Sequence, residues 1–230
     1  MIPAEQIKDH AARAAAMLVE DGMCVGLGSG STAKLMVHHL AERATRDGLR
    51  FRGVPTSRVT ADYALSLGIE LLDLDECEVL DLNIDGADEI DPEFRMIKGL
   101  GGALLREKIV ASAAQRRVTI VGARKRVARL GVVTPVPVEV SPFGLIHIRK
   151  SLDAICASTR VRLDAAGGVF QTDGGNKIVD CFFDGLDDPA DLDRRMRQIP
   201  GVFETGLFLG LCDTVVVGRE DGADLFDRPV

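Results

Sequence analysis

Short apolar runs alternate with helix-patterned segments through the first half of the chain, and few folds are compatible with this alternation. The run Met23–Leu27, for example, stops abruptly at Gly28 and is too short for a buried helix. In the segments between such runs, as from Ala4 to Val19, apolar residues recur at helical spacing. Continuous apolar strands that alternate with helices predict an α/β fold, a Rossmann-like parallel sheet with helices on both faces.

The pattern places the elements of this sheet along most of the chain. The predicted strands are Met23–Leu27, Phe51–Val54, Ile69–Leu72, Val79–Asp85 and Val118–Val121. The predicted helices are Ala4–Val19, Ala33–Ala44, Val59–Leu67 and Ala103–Gln115. A β-branched run near the C-terminus, Thr214–Gly218, is expected to return to the same sheet.

The pattern changes at Pro135 and Pro137. From there the order is strand, helix, strand, strand, helix, strand, which is the split βαβ arrangement of ferredoxin-like domains. The predicted segments are Val136–Val140, Leu145–Ala157, Arg160–Leu163, Lys177–Phe183, Ala190–Gln198 and Val202–Leu209. We therefore expect a Rossmann-like domain of residues 1–131 and 208–230, with a smaller ferredoxin-like α+β domain, residues 132–207, inserted near the C-terminus.

The composition is that of a globular protein and argues against two classes of partner. A net charge of −7 disfavours a nucleic-acid surface, and no apolar run approaches the roughly 20 residues that cross a membrane. One local excess of positive charge is expected to be a solvated face, in which a single member could contact an anion: Arg116, Arg117, Arg124, Lys125, Arg126 and Arg129. The five cysteines form no Cys-x-x-Cys pair, and the N-terminus shows no signal-peptide pattern, so we expect reduced thiols and a cytoplasmic protein.

A loop rich in glycine and hydroxyl side chains joins the first predicted strand to the next helix. It reads Gly28-Ser29-Gly30-Ser31-Thr32. Backbone N–H groups and the helix dipole favour an anion at such a position. The loop lacks a Walker A lysine, the G-x-G-x-x-G spacing and a ribose-binding acid after the next strand. Its two hydroxyls beside free N–H groups suit a terminal phosphate monoester. The alternative is a tight turn with a Ser/Thr helix cap.

Two acids follow the fourth predicted strand, in the sequence Asp85-Gly86-Ala87-Asp88. Open α/β sheets bind ligands at the carboxyl ends of their strands, so both acids are candidates for contact with a substrate. The alternative is a turn followed by a capped helix. The two acids could also be metal ligands, but no histidine or third acid at ligand spacing supports a metal site.

A lysine leads a second glycine-rich turn, which enters the next helix as Lys98-Gly99-Leu100-Gly101-Gly102. Glycine lets the backbone approach a ligand closely. Glu107 lies about one turn into the helix, where it can point inward, although the run Arg106-Glu107-Lys108 is also typical of a solvated helix face. Acids and a lysine at strand ends and a helix start suit proton transfer on a small polar substrate. An enzyme is therefore the leading hypothesis.

Taken in order, these motifs resemble the ribose-5-phosphate isomerases of the A type. The matching segments are Gly28–Ala33, Asp85–Ile90, Met96–Gly99, Arg106–Ile109, Pro137–Val140, Thr172–Asn176 and Ile199–Val202, so the resemblance spans essentially the whole chain. The chain departs from the family at Leu100, where glycine is usual, and at Ser29, where threonine is common. It also departs at Gly122 and Arg124, just before Lys125.

The resemblance implies interconversion of D-ribose 5-phosphate and D-ribulose 5-phosphate through an enediolate, without metal or cofactor, by a cytoplasmic homodimer of the pentose phosphate pathway. It assigns proton transfer to Glu107, opening of the sugar ring to Asp85 and stabilisation of the oxyanion to Lys98. The remaining substrate-binding residues would be Gly86, Ala87 and Asp88 for the sugar, Gly99, Leu100 and Gly101 for the oxyanion, and Ser29, Gly30, Ser31, Thr32, Lys125 and Lys8 for the phosphate.

Two other classes of function stay open at this point. A sugar-phosphate-binding regulator would need a DNA-binding helix-turn-helix, yet only about one helix precedes Met23 in an acidic chain. Another enzyme of the same superfold, such as an amino-sugar-phosphate deaminase or a CoA transferase, would share the fold and differ in its site residues. The transferase would use a glutamate as a nucleophile towards a thioester.

Overall fold

The computed structural model describes residues 3–229. Its helices are α1 (Ala4–Ala16), α2 (Ser31–Arg46), α3 (Arg58–Ser66), α4 (Leu104–Ala113), α5 (Leu145–Asp153) and α6 (Pro189–Arg197). Its strands are β1 (Cys24–Leu27), β2 (Arg52–Pro55), β3 (Leu80–Gly86), β4 (Glu89–Ile90), β5 (Met96–Ile97), β6 (Ala114–Gly122), β7 (Val136–Val140), β8 (Ser158–Val161), β9 (Lys177–Phe182), β10 (Val202–Thr205), β11 (Leu207–Phe208), β12 (Thr214–Arg219) and β13 (Gly222–Asp227).

The first compact unit is built on a six-stranded sheet and comprises Met1–Ala87, Arg106–Arg126 and Gly210–Val230. The strand order is β13-β12-β6-β3-β1-β2, and every neighbouring pair is parallel except the antiparallel edge pair of β12 and β13. The prediction of a Rossmann-like parallel sheet is confirmed, and β12 returns to it as expected.

Helices pack on both faces of this sheet. On one face α1 and α2 cover β1, β3, β6 and β12, with a core that includes Ala11, Ala12, Ala15, Ala16, Met36, Val37, Leu40, Val25, Leu27, Leu82, Ile84, Val118, Ile120 and Val216. On the other face Val110 of α4 packs with Cys24 and Leu80. A Cβ on Gly26 would lie 2.5 Å from Oδ1 of Asn83 and 2.7 Å from Cγ1 of Val110, so glycine allows α4 to approach β1 closely.

The second compact unit comprises Asp88–Leu105 and Val127–Leu209. Its four-stranded antiparallel sheet has the order β10-β7-β9-β8, and α5 and α6 contribute Ile148, Leu152 and Met196 to the core on it. This is the expected ferredoxin-like order of elements, β7-α5-β8-β9-α6-β10. A small sheet of the order β11-β5-β4 belongs to the same unit. The domain boundaries at residues 131 and 207 stay a prediction.

Two predicted strands differ from those observed. Ile69–Leu72 is not a strand: Leu71 makes a single bridge to Gly53, and the chain then turns into a short 3-10 helix at Leu74–Glu76. The predicted strand Val202–Leu209 is divided into two strands at Gly206. There the backbone passes so close to Lys98 that a Cβ on Gly206 would lie 2.3 Å from the Lys98 carbonyl oxygen. This close approach brings β11 beside β5 instead of continuing β10.

Other differences concern short or shortened elements. The helix predicted over Leu145–Ala157 ends at Asp153, and the sequence pattern missed β4, β5 and β13. Two-residue strands such as β4 and β5 are too short to show a period. Over residues 3–229, the helices lack the length and apolar content that crossing a membrane requires.

Candidate functional site

The loop between β1 and α2 lies against the end of β3 in the first unit. A Cβ on Gly28 would lie 2.2 Å from Oδ1 of Asp85 and 2.5 Å from its Cα, so only glycine fits there. Gly30 has a φ of 98°, in the left-handed region that glycine adopts without strain. These two glycines hold Ser29 beside Asp85, and the Ser29 N–H donates a 3.0 Å hydrogen bond to Asp85 Oδ1.

A cluster of hydroxyl groups surrounds the Ser29 side chain. Its Oγ lies 2.8 Å from Oγ1 of Thr56, 2.7 Å from Oγ of Ser57 and 3.2 Å from Oγ1 of Thr60. Ser57 caps α3 by accepting the Thr60 N–H, and the Thr60 hydroxyl donates to the carbonyl oxygen of Gly28 at 3.1 Å. The buried cluster therefore fixes both the side chain and the backbone of the loop.

The sequence analysis missed Thr56, Ser57 and Thr60. The available signal was a helix cap, because Ser57 stands three residues before Thr60 just after a predicted strand. Such a cap predicts where α3 begins, but it does not predict that its hydroxyls meet Ser29.

Replacement of Thr60 by valine is expected to loosen this loop, because it removes a hydroxyl at constant shape. We expect about 1 kcal/mol less free energy of unfolding and roughly fivefold weaker binding of inorganic phosphate, measured by denaturant titration and calorimetry. Thr45→Val is the matched control, since its hydroxyl donates to the carbonyl oxygen of Ala41 on α2, outside the cluster. Unchanged phosphate affinity in Thr60→Val would show that the cluster does not shape the binding loop.

Two lysines of the first unit, Lys8 and Lys125, are expected from the sequence to bind the phosphate. Lys8 Nζ donates a 3.0 Å hydrogen bond to Oγ of Ser31, which opens the first turn of α2 together with Thr32. Lys125 is exposed in the short 3-10 helix that follows β6, the strand beside β3. Its neighbour Arg124, where the chain departs from the usual family residue, is exposed as well. The structure therefore brings Lys8 to the loop and places Lys125 at the carboxyl end of the sheet.

Asp85 lies at the carboxyl end of β3 and is only 4% exposed. Its Oδ1 accepts hydrogen bonds from two backbone N–H groups, that of Ser29 at 3.0 Å and that of Gly86 at 2.7 Å. Two such bonds fix the plane of the carboxyl group. Gly86 and Ala87, which follow it, are half-buried.

Glu107 is buried in α4, with 4% of its surface exposed. It shares a helix face with Leu104 and Val110, both buried, while Arg106 beside it is exposed. Lys108 is also buried, so the interpretation of this charged run as a solvated helix face does not hold. The helix presents a carboxylate on its buried side, where general acid–base chemistry is shielded from bulk water.

In the second unit, Lys98 follows β5 and is 4% exposed. Its Nζ lies 5.3 Å from the centroid of the Phe208 ring, a cation–π contact. Its N–H donates a 2.9 Å hydrogen bond to the carbonyl oxygen of Gly206. The backbone and the aromatic ring thus hold a buried ammonium in one place.

The glycine-rich loop after Lys98 turns tightly. Gly99 has a φ of 100°, Gly102 has a φ of 86°, and the Gly102 N–H donates to the carbonyl oxygen of Gly99 at 3.0 Å. Leu100 lies outside the positive-φ region and is 42% exposed, so its conformation does not require glycine. Its N–H donates a 2.9 Å hydrogen bond to Oδ2 of the half-buried Asp88. Leucine can therefore occupy position 100 without backbone strain.

Within residues 3–229 there is no cluster of three or more histidine, cysteine, aspartate or glutamate side chains suited to a metal ion. The carboxylates of Asp85 and Asp88 both accept backbone N–H groups instead. The described geometry thus offers hydrogen-bonding carboxylates, a buried lysine and a phosphate-suited loop.

Comparison with known proteins gives the family. The family model described as "Ribose 5-phosphate isomerase A (phosphoriboisomerase A)" matches residues 52–222, well over half of the chain. This chain belongs to the ribose 5-phosphate isomerase A family. The matched region includes β3, the lysine–glycine loop and α4, and with them Asp85, Lys98 and Glu107.

Relatives and solved structures of the family match nearly the full chain. Ribose-5-phosphate isomerase A of Thermomicrobium roseum is 49% identical over 225 residues, which cover 97% of this chain and 94% of that protein. A structure of D-ribose-5-phosphate isomerase in complex with phospho-erythronic acid has a TM-score of 0.95 at 36% identity, covering 99% of this chain and all of that one. The ribose 5-phosphate isomerase A of Methanocaldococcus jannaschii has a TM-score of 0.93 at 37% identity, covering 98% and 100%.

Proposed function

We propose that Glu107 is the base of an aldose–ketose isomerase and that it moves a proton between C1 and C2 of the sugar. The chain interconverts D-ribose 5-phosphate and D-ribulose 5-phosphate, as membership of the family implies. The observation that carries the assignment is the burial of Glu107 on α4, beside an exposed Arg106. One carboxylate placed over two adjacent carbons can both remove the proton from C2 and deliver it to C1.

In the proposed reaction, Asp85 first opens the furanose ring by proton transfer at the ring oxygen and the C1 hydroxyl. Glu107 then takes the proton from C2, and the electrons of the C–H bond form the enediolate. The proton returns to C1 as the carbonyl forms at C2, while one hydroxyl proton passes from O2 to O1. Atoms and charge balance, and the reaction needs no oxidant or reductant.

Proton transfer by a positioned base contributes about 10²–10⁴-fold, so the negative charge that develops on oxygen must also be stabilised. We assign that role to the buried ammonium of Lys98 and to the backbone N–H groups of Gly99 and Gly101, whereas the N–H of Leu100, expected from the sequence to take part, is bonded to Asp88. One preorganised donor contributes roughly 3–4 kcal/mol to stabilisation of the transition state. Asp88, whose carboxylate is oriented by the Leu100 N–H, holds sugar hydroxyl groups together with Gly86 and Ala87.

The phosphate lies, in this proposal, at the start of α2. Ser29, Gly30, Ser31 and Thr32 supply backbone N–H groups and hydroxyls there, where the helix dipole favours an anion. Lys8, already bonded to Ser31, adds positive charge, and Lys125 adds more from the carboxyl end of β6. The phospho-erythronic acid bound to the related isomerase supports this substrate class. It is a phosphorylated four-carbon acid, and its planar anionic carboxylate resembles an enediolate.

The reaction is proposed to need no metal and no cofactor. The test is to strip the protein of metal, add ribose 5-phosphate and measure formation of ribulose 5-phosphate. We expect full activity in the presence of a chelator. Activity that vanishes with the chelator and returns with a divalent cation would overturn the metal-free mechanism, and no product under either condition would overturn the substrate.

We also propose that the enzyme is a homodimer of the cytoplasm and serves the pentose phosphate pathway. The resemblance to the family supports the dimer, and five unpaired cysteines suit a reducing compartment. Light scattering should give twice the chain mass of 24.7 kDa, and a monomer mass would contradict the dimer. The regulator and the other enzymes of the superfold are not favoured, because the family match covers Asp85, Lys98 and Glu107.

A further inference from the structure

We propose that Arg162 is a positioning residue of the isomerase, which fixes the peptide groups of the loop that presents the Gly101 N–H to the developing oxyanion. The inference rests on the role proposed above for the loop after Lys98. Arg162 follows β8 in the sequence, about sixty residues beyond that loop, and it was not among the residues singled out from the sequence.

The guanidinium of Arg162 has two sets of partners within the second unit. Its Nη1 donates to the carbonyl oxygens of Gly99 and Leu100, at 2.7 and 2.9 Å. Its Nε and Nη2 donate to the carboxylate of Asp180 on β9, the Nε bond being 3.0 Å long. Both side chains of this ion pair are largely buried, 12% exposed for Arg162 and 13% for Asp180. A bidentate pair on a sheet therefore anchors the guanidinium that holds the loop.

Because the peptide group is planar, fixing a carbonyl oxygen also fixes the direction of the N–H group of the next residue. In a trans peptide the carbonyl of one residue and the N–H of the next point in opposite directions in one plane. Fixing the Gly99 carbonyl therefore directs the Leu100 N–H away from Arg162, and that N–H is found on Oδ2 of Asp88. Fixing the Leu100 carbonyl directs the Gly101 N–H away from Arg162 in the same manner, and we assign that N–H to the developing oxyanion.

The Gly99–Leu100 peptide is also held by the Gly102 N–H on the Gly99 carbonyl oxygen and by Asp88 on the Leu100 N–H, so Arg162 matters most for the Leu100–Gly101 peptide. The side chain of Leu100 is largely in solvent, and a Cβ added to Gly101 would meet nothing within 4 Å. Glycines on either side give the unfixed chain wide conformational freedom. Hydrogen bonds through the carbonyl oxygens are therefore what holds the donors in the geometry that catalysis needs.

The test separates positioning from stability by three variants. Arg162→Met removes the carbonyl contacts but leaves the Asp180 carboxylate buried without its partner, so it should also lower the melting temperature. Arg162→Met with Asp180→Leu removes both charges and should recover most of the melting temperature. Arg197→Met is the matched control, because Arg197 of the same unit also pairs with carboxylates, those of Asp193 and Glu204, and not with the loop carbonyl groups.

We expect kcat to fall about 10- to 100-fold in Arg162→Met and to stay low in the double variant, with the KM for ribose 5-phosphate within about threefold. The affinity for phospho-erythronic acid should fall by a similar factor, while inhibition by inorganic phosphate stays unchanged. Arg197→Met should keep kcat.

Recovery of kcat together with the melting temperature in the double variant would overturn the proposal, as would an unchanged kcat in Arg162→Met. If Arg162→Met fails to fold, the double variant alone decides by the same measurement. Failure of the function itself is distinguishable, because the wild-type protein would then not isomerise ribose 5-phosphate at all.

Discussion

Replacement of Glu107 by glutamine is expected to lower kcat for ribose 5-phosphate by about 10³-fold, with KM changed less than about threefold. Glutamine has nearly the shape of glutamate but cannot take a proton from carbon. The buried position should accept the neutral amide, so the fold should persist. Coupled spectrophotometric assay of ribulose 5-phosphate gives kcat and KM, and circular dichroism verifies the fold.

The matched control for this variant is Ser112→Ala. Ser112 is exposed on the same helix, and its hydroxyl donates to the carbonyl oxygen of Ile109 within that helix. Its kcat should equal that of the wild-type protein. If Glu107→Gln keeps a tenth or more of the wild-type kcat, Glu107 is not the base, and another group must move the proton.

Replacement of Asp85 by asparagine is expected to lower the rate with ribose 5-phosphate by about 10²-fold. Asparagine keeps an Oδ1 that accepts the N–H groups of Ser29 and Gly86, so the loop should keep its shape. What is lost is the negative charge and the capacity to transfer a proton. Asp81→Asn is the matched control. Asp81 lies at the opposite end of the same strand, and its carboxylate also accepts a backbone N–H, that of Cys24 at 2.8 Å.

The direction of the reaction sharpens this second test. Ribose 5-phosphate is mostly a closed ring, whereas ribulose 5-phosphate has no hydroxyl free to close a furanose ring. If Asp85 opens the ring, the loss in kcat at saturating substrate should be much smaller when the reaction starts from ribulose 5-phosphate. Equal losses of kcat in both directions would show that Asp85 acts at a later step than ring opening.

The parallel sheet and the inserted α+β order could be predicted because their signals are local. Apolar runs and helical spacing reveal strands such as β3 and helices such as α4 without knowledge of their neighbours. The strand boundaries failed where distant backbone decides them, as at Gly206, whose contact with Lys98 ends β10.

The residues of the candidate site likewise fall into those that a local signal reveals and those that depend on distant contacts. Asp85, Lys98 and Glu107 belong to motifs that are contiguous in the sequence, and so they could be singled out. Thr60 and Arg162 act through contacts with distant loops, and no spacing rule joins them to Ser29 or Leu100. A hydroxyl at a helix cap and an arginine after a strand are too common in proteins to indicate a site by themselves.

The most direct test of the central claim, proton transfer by Glu107 through an enediolate, is isomerisation in D₂O followed by NMR of the sugar carbons. We predict deuterium at C2 of ribose 5-phosphate and at C1 of ribulose 5-phosphate as equilibrium is reached, and neither with Glu107→Gln. Interconversion by Glu107→Gln at the wild-type rate, with deuterium on neither carbon, would contradict the account, because a hydride shift between the two carbons needs no base.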